Sequence, residues 1–152
     1  MDFISDTFPD TRVHIGLYKL VDKSFEKDTD QAILERKVKL VQLLSTYRNN
    51  FTIINCNLVS SLMHLNIAVS RALLNKRDGK LKTDTFGNEI VYYCDLSNNI
   101  QHTLQKYGVQ NCNQAFFAIF VDFPQEQQLK VKAELKTITA CELPNLNEHL
   151  DF

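Results

Sequence analysis

The stretch from residue 58 to residue 95 constrains the fold of this chain more than any other part of its sequence. Apolar residues there recur at spacings of three and four, which predicts a long, mostly buried helix over residues 58–76. Its apolar stripe consists of Leu62, Leu65, Val69 and Ala72, widened by Met63, Ile67 and Leu74. A glycine-bearing loop, residues 77–83, follows, and the apolar run at residues 89–94 then predicts a strand.

Positive charge is concentrated where the chain leaves this helix. The cations of the last turn and the loop are Arg71, Lys76, Arg77, Lys80 and Lys82. Asp78 is the single acid among these residues, and the formal net charge of the whole chain is -1. One interpretation is that the last turn complements the helix dipole and that the loop lysines are solvated. The other is a local contact with a polyanion, and residue chemistry alone leaves both open.

Three more segments predict strands of one sheet. In residues 12–21 apolar and more polar residues alternate, which predicts a strand with one well-buried face. Residues 51–55 and 115–121 are apolar on both alternating faces, as in strands that are covered on both sides. We therefore expect helices over at least one face of the sheet.

The remaining helices complete the predicted fold. Thr29 is expected to cap a helix that reaches about Tyr47. Its apolar face consists of Leu34, Val38, Val41 and Leu44. After Pro124 the signal divides, because residues 129–135 alternate as in a strand but are helix-forming residue types. Together the segments predict an α+β single domain over residues 1–152, with a mixed, mainly antiparallel sheet packed by helices.

Composition agrees with one globular domain. The chain has 152 residues, of which 44% are hydrophobic and 23% charged, so it is long enough for one real core. No apolar run approaches the roughly 18 residues that a membrane span needs, and the first residues lack a secretion signal. The sequence thus predicts no membrane partner, and a cytoplasmic and nuclear location.

Catalytic chemistry is missing from the sequence. The histidines His14, His64, His102 and His149 are scattered, and the four cysteines form no C-x-x-C pair. We therefore expect no catalytic residue, no metal site and no cofactor. The one enzymatic alternative is a small thiol-dependent enzyme, because Cys56 precedes the long helix, whose dipole could lower the pKa of a thiol.

Five short motifs resemble one protein family. They are Phe8-Pro9-Asp10-Thr11-Arg12-Val13, Gly79-Lys80-Leu81-Lys82-Thr83, Asn88-Glu89-Ile90-Val91-Tyr92, Leu96-Ser97-Asn98-Asn99-Ile100 and Gln105-Lys106-Tyr107-Gly108-Val109. Their order and spacing are similar to those of the TPRKB family, the small kinase-binding subunits of the KEOPS (EKC) complex. The resemblance covers about residues 8–120.

The resemblance implies a noncatalytic subunit of a complex that attaches a threonylcarbamoyl group to an adenosine of tRNA. Such a subunit docks on the complex's atypical kinase and helps to bring tRNA by its single-stranded end. Lys80 and Lys82 match basic loop positions of the family, and Phe86, Tyr92 and Tyr93 would supply rings for base stacking. The family also looks helical after Pro124.

Two departures from the family pattern leave an alternative open. Asp84 stands where the family usually has arginine, which changes the local charge by two units, and it could pair with Lys80 or Lys82. The chain stops at Phe152, where family members usually continue to a C-terminal helix that we associate with kinase docking. The alternative is a divergent or shortened protein-interaction module without RNA binding.

Overall fold

The computed structural model describes residues 2–4, 10–20, 29–95, 99–112, 114–139 and 141–143. In these residues five strands form one sheet: β1 (Asp2–Ile4), β2 (Arg12–Lys19), β3 (Phe51–Asn55), β4 (Ala115–Val121) and β5 (Cys141–Leu143). The order is β1-β2-β4-β3, with β5 also paired to β2, and every one of these pairings is antiparallel. The predicted strands at residues 12–21, 51–55 and 115–121 are thereby confirmed as β2, β3 and β4.

Helices cover both faces of the sheet. They are α1 (Asp30–Tyr47), α2 (Leu62–Arg77), α3 (Phe86–Tyr92), α4 (Ile100–Tyr107) and α5 (Gln125–Ile138). On β4, Phe117 and Ile119 pack toward the core shared with α2 and α3, while Phe116 and Phe120 pack toward the core shared with α1 and α5. The predicted α+β single domain is confirmed, although the pairings in the described part are all antiparallel and not mixed. No helix in that part is long and apolar enough to cross a membrane.

The predicted strand at residues 89–94 is wrong, because this run lies mostly in helix α3. The side chain of Thr85 caps α3 by accepting a hydrogen bond from the Asn88 amide at 3.1 Å. Gly87 lets the helix approach β3 closely, since a Cβ there would lie 2.7 Å from the Phe51 carbonyl oxygen. An apolar run of this length fits a buried helix as well as a buried strand, and here the cap and the close approach select the helix.

Helix α2 also departs in part from its prediction. It begins at Leu62, with Ser61 as its cap, and not at residue 58. Leu65 and Val69 are fully buried as predicted, but Met63 and Ile67 are 69% and 53% exposed. The core takes Ala68 and Leu73 instead, because the sheet contacts a narrower strip of the helix than the whole apolar pattern.

Most of the apolar face predicted for α1 points to solvent, and of its four residues only Leu44 packs partly against the core. The ends of the helix are as predicted, with Thr29 as cap and Tyr47 as last residue. Leu34, Val38 and Val41 are 61%, 50% and 39% exposed, whereas Leu40 and Leu43 are buried. We call Leu34, Val38 and Val41 the α1 stripe. The helix carries two apolar stripes, and contact with the sheet buries only one of them.

Candidate functional site

The basic loop, which we define as residues 76–84, leaves α2 through a tight turn. Gly79 has a φ of 65°, a left-handed conformation that glycine adopts without strain. The amides of Gly79 and Lys80 donate to the carbonyl oxygens of Lys76 and Asn75 at 3.2 and 2.8 Å. These two bonds satisfy carbonyl groups that the helix end would otherwise leave open, and they fix the first half of the loop.

The second half of the loop is fixed by Glu89, which is fully buried on α3. Its carboxylate accepts from the Lys82 amide at 2.9 and 3.0 Å and from the Thr83 amide at 2.9 Å. The Thr83 hydroxyl lies 2.9 Å from the same carboxylate, and the side-chain amide of Asn75 donates to it at 3.0 Å. One buried carboxylate therefore connects the loop to both α2 and α3.

The five predicted cations do not form one uniform cluster. Lys80 is exposed, whereas the guanidinium of Arg77 contacts the Asp78 carboxylate at 3.2 Å. Arg71 is exposed on α2, six residues before Arg77 and so about 9 Å along the helix axis. The structure therefore places Arg71 away from the loop, and the loop cations differ in what they contact.

The remaining two cations lie over aromatic rings. The Lys76 ammonium is 4.8 Å from the centre of the Phe86 ring, and the Lys82 ammonium is 5.7 Å from the ring centres of Tyr92 and Tyr93. Phe86 and Tyr92 are 3% and 8% exposed, so they do not offer open faces to a nucleobase. The prediction that these rings stack bases is not supported, because two of them belong to the core and lysine heads lie over all three.

The predicted pairing of Asp84 with a loop lysine is wrong. Its carboxylate accepts from the side-chain amide of Asn88 at 2.9 Å, and among the described residues no ion pair joins it to Lys80 or Lys82. The exposed Asp84 lies beside the capping residue Thr85, at the N-terminal end of α3. A negative charge at that end is stabilised by the helix dipole.

The three cysteine thiols that the structure describes are poor nucleophiles. Burial raises the pKa of Cys56 above its ordinary value. Burial also raises the pKa of Cys94 to about 12 and that of Cys112 to about 11. Cys56 lies in a short turn, residues 56–58, and not at the start of α2. A thiolate is the reactive form, so these thiols do not suit a thiol-dependent enzyme.

The histidine of α2 is held as a boundary residue. The Nε2 of His64 lies 2.6 Å from the Cys94 carbonyl oxygen, and its Nδ1 accepts from the Ser60 amide at 3.3 Å. These two contacts give His64 a structural role between α2 and the end of α3. Across the part of the chain that the structure describes, no three His, Cys, Asp or Glu side chains are arranged to hold a metal ion.

Comparison with known proteins identifies the family. The profile of the family described as "Kinase binding protein CGI-121" matches residues 19–152, which is most of the chain. The chain belongs to the CGI-121 family. This confirms the family resemblance predicted from the motifs.

Two curated CGI-121 proteins match the chain. The "EKC/KEOPS complex subunit CGI121" of Debaryomyces hansenii is 29% identical over 103 residues, which cover 67% of this chain and 47% of that protein. The protein of the same name from Yarrowia lipolytica is 34% identical over 58 residues, which cover 38% of this chain and 34% of that protein. The matches thus span less than half the length of either relative.

Some sequence predictions lie outside the described residues. Residues 8–9 and 96–98, which belong to two of the family motifs, are among them, as are His149 and Phe152. The absence of the family's C-terminal helix therefore stays a prediction.

Proposed function

We propose that this chain is a noncatalytic subunit of a KEOPS complex, where it binds the atypical kinase subunit and helps to recruit tRNA in the cytoplasm and nucleus. The match to a family of kinase binding proteins over residues 19–152 carries the proposal. The name of both curated relatives supports it. Kinase binding and tRNA binding would use different surfaces of the domain.

The α1 stripe is the surface that we assign to kinase binding. Its three apolar side chains lie on successive turns of one long helix, and Leu34 and Val38 are at least half exposed. Exposed apolar residues that line up in this way are typical of protein contacts more than of solvated surface. The stripe also borders a cleft of about 410 Å³, to which Val41 contributes together with residues of α3 and α4.

Co-expression with the kinase subunit of the complex tests this assignment. Val38→Asp should lower recovery of the kinase at least about tenfold, because a charge would be placed in an apolar contact. Ile67→Asp on α2 is the matched control, since Ile67 is 53% exposed and Val38 is 50% exposed. Loss of the kinase with Ile67→Asp alone would move the contact to α2, and full recovery with both variants would contradict an apolar contact on either helix.

The basic loop is the surface that we assign to tRNA. Residues 76–84 contain four cations and two acids, which gives a local charge of about +2 in a chain of net charge -1. A local excess of cations favours a polyanion, with an affinity that falls as salt rises. Because the aromatic rings beneath are buried, the contact would be made to phosphates more than to bases.

A salt titration tests the tRNA contact. The double variant Lys80→Glu with Lys82→Glu should weaken tRNA binding and flatten its salt dependence. Lys39→Glu with Lys130→Glu is the matched control, because these exposed lysines on α1 and α5 give the same change in net charge. Using tRNA with and without its single-stranded end locates the contact on the RNA. If the double variant and the control bind tRNA equally, the chain is better described as an interaction module without RNA binding.

A further inference from the structure

Glu89 occupies an unusual position for an acidic residue. It has no exposed surface, and it is the only buried charged side chain among the residues whose burial the structure describes. A buried carboxylate is tolerated only when hydrogen-bond donors surround it. The donors come from the Lys82 and Thr83 amides in the loop and from Asn75 in α2.

The Glu89 carboxylate bonds to the backbone of the loop and not to the ammonium groups of its lysines. In the described residues no ion pair joins Glu89 to Lys80 or Lys82. Its oxygens accept instead from the Lys82 and Thr83 amides and from the Asn75 side chain. The loop is therefore held in place while its ammonium groups keep their charge.

Asn75 links the two fixed points of the loop. Its backbone carbonyl accepts from the Lys80 amide at 2.8 Å, while its side chain donates to Glu89 at 3.0 Å and to the Tyr93 hydroxyl at 2.6 Å. Only Leu81 lies between the anchored amides of Lys80 and Lys82. A loop fixed on both sides loses less conformational entropy when it binds a ligand.

We propose that Glu89 is a positioning residue, which holds the basic loop in the conformation that meets the phosphates of an RNA. The inference rests on the proposed function of the loop, but whether Glu89 fixes the loop conformation can be measured without RNA. Glu89 contacts no ligand in this scheme and acts through the backbone of Lys82 and Thr83.

Native-state amide hydrogen exchange tests the positioning. Glu89→Gln keeps the size of the side chain but replaces one acceptor oxygen with a donor and removes the charge. The Lys82 and Thr83 amides should then exchange roughly tenfold faster, as expected for weakening a hydrogen bond to a charged acceptor. Amides in the core of α2, such as that of Val69, should keep their rates. Unchanged exchange at Lys82 and Thr83 would overturn the proposal.

A second variant and a control distinguish a local effect on the loop from destabilisation of the whole domain. Thr83→Val removes the hydroxyl, which lies 2.9 Å from the Glu89 carboxylate and 2.8 Å from the Thr85 carbonyl oxygen, and should speed exchange at the same two amides by a smaller factor. Thr103→Val removes a buried hydroxyl bond to the Asn99 carbonyl on α4 and should leave the loop amides unchanged. If Thr103→Val speeds loop exchange as much as Glu89→Gln does, the effect is general and the positioning role is refuted.

The RNA measurement separates this proposal from the proposed function. At a temperature where all variants are folded, Glu89→Gln should weaken tRNA binding several-fold and Thr103→Val should not. Faster loop exchange with an unchanged tRNA affinity would overturn the link between positioning and binding. Absence of tRNA binding by the parent chain would refute the proposed function of the loop itself, while the exchange rates would still decide whether Glu89 holds it.

Discussion

The basic loop and the α1 stripe are both exposed, but they are held in place in different ways. The stripe lies on an 18-residue helix, α1, whose opposite face is buried, so the helix alone determines where its side chains point. The loop has no such regular backbone and depends on the cap at Gly79 and on the buried Glu89. A substitution on the stripe should therefore affect only the contacts of that side chain. The conformation of the loop, in contrast, can be changed by substituting the buried Glu89, with all the loop cations kept.

The largest expected effect is destabilisation of the whole domain, which would disrupt both surfaces together. Leu65 is fully buried on α2, which carries the loop and covers the sheet. Leu65→Ala should lower the free energy of unfolding by about 2 to 5 kcal/mol through loss of apolar burial and formation of a cavity. Met63→Ala, at a 69% exposed position on the same helix, should cost less than about 0.5 kcal/mol. Urea unfolding measures both, and similar losses would show that α2 is placed wrongly.

The next prediction is a pH dependence of stability that comes from two buried thiols, one on each side of the sheet. Cys94 belongs to the core beneath α2 and α3, and Cys112 belongs to the core beneath α1. Their folded pKa values of about 12 and about 11 exceed the ordinary value near 8.5 to 9 for an exposed thiol. The unfolded chain therefore loses thiol protons first as pH rises. The contribution of these thiols to the free energy of unfolding should be constant below about pH 8.5 and then fall by up to about 1.4 kcal/mol per pH unit for each buried thiol.

Urea unfolding between pH 8 and 10 measures this slope. Cys94→Ala and Cys112→Ala should each reduce it by a similar amount, since both folded pKa values lie above this range. Cys56 and Tyr107, whose pKa values burial also raises, contribute to the slope that remains. A free energy of unfolding that rises over this pH range would mean that the thiols are not buried in their neutral form.

The third effect tests whether the two surfaces are independent. Val38→Asp should leave tRNA affinity within about twofold of the parent, and the double variant Lys80→Glu with Lys82→Glu should leave kinase recovery within the same limit, because no contact in the described residues joins the substituted side chains. Val41 of the stripe and Asp84 of the loop line the same cleft, so any coupling between the two surfaces is expected there. Both ligands are measured on both variants. If either variant impairs both ligands to the same degree at a temperature where it is folded, the two surfaces form one interface.

Much of the fold could be predicted because regular spacing determines it. The strands at residues 51–55 and 115–121 and both ends of α1 follow from apolar runs and from the cap at Thr29. The buried face of α1 could not be predicted, since its apolar residues form two stripes and only contact with the sheet distinguishes Leu40 from Val38. The run at residues 89–94 is apolar on all sides, so its period did not separate a helix from a strand. Thr85, three residues before Asn88, was the one local signal of a helix start.

The cations of the candidate site could be predicted, but the residue that positions them could not. Lys80 and Lys82 are visible as a charge excess in the sequence. Glu89 has its role only because the chain turns and brings the Lys82 and Thr83 amides back onto α3. The one available signal was an acid inside an apolar run, since glutamate is rarely buried unless donors surround it.

The last prediction concerns Asp84, the acid at the end of the loop next to α3, where a substitution should change stability little. The Asp84 carboxylate accepts a hydrogen bond from Asn88, and among the described residues it forms no ion pair with a lysine. It therefore lowers the net charge of the loop while the loop lysines stay available to a ligand. Asp84→Arg should lower the free energy of unfolding by less than about 1 kcal/mol, since it removes one exposed bond and places a positive charge at the start of α3. Its effect on tRNA should be larger, because two units of charge are added beside Lys82 and each new phosphate contact adds about one unit to the salt slope. Asp84→Asn, which removes the negative charge without adding a positive one, should give an intermediate affinity. Filter binding of tRNA at several salt concentrations measures all three proteins, and equal affinities and slopes would mean that RNA does not contact this end of the loop.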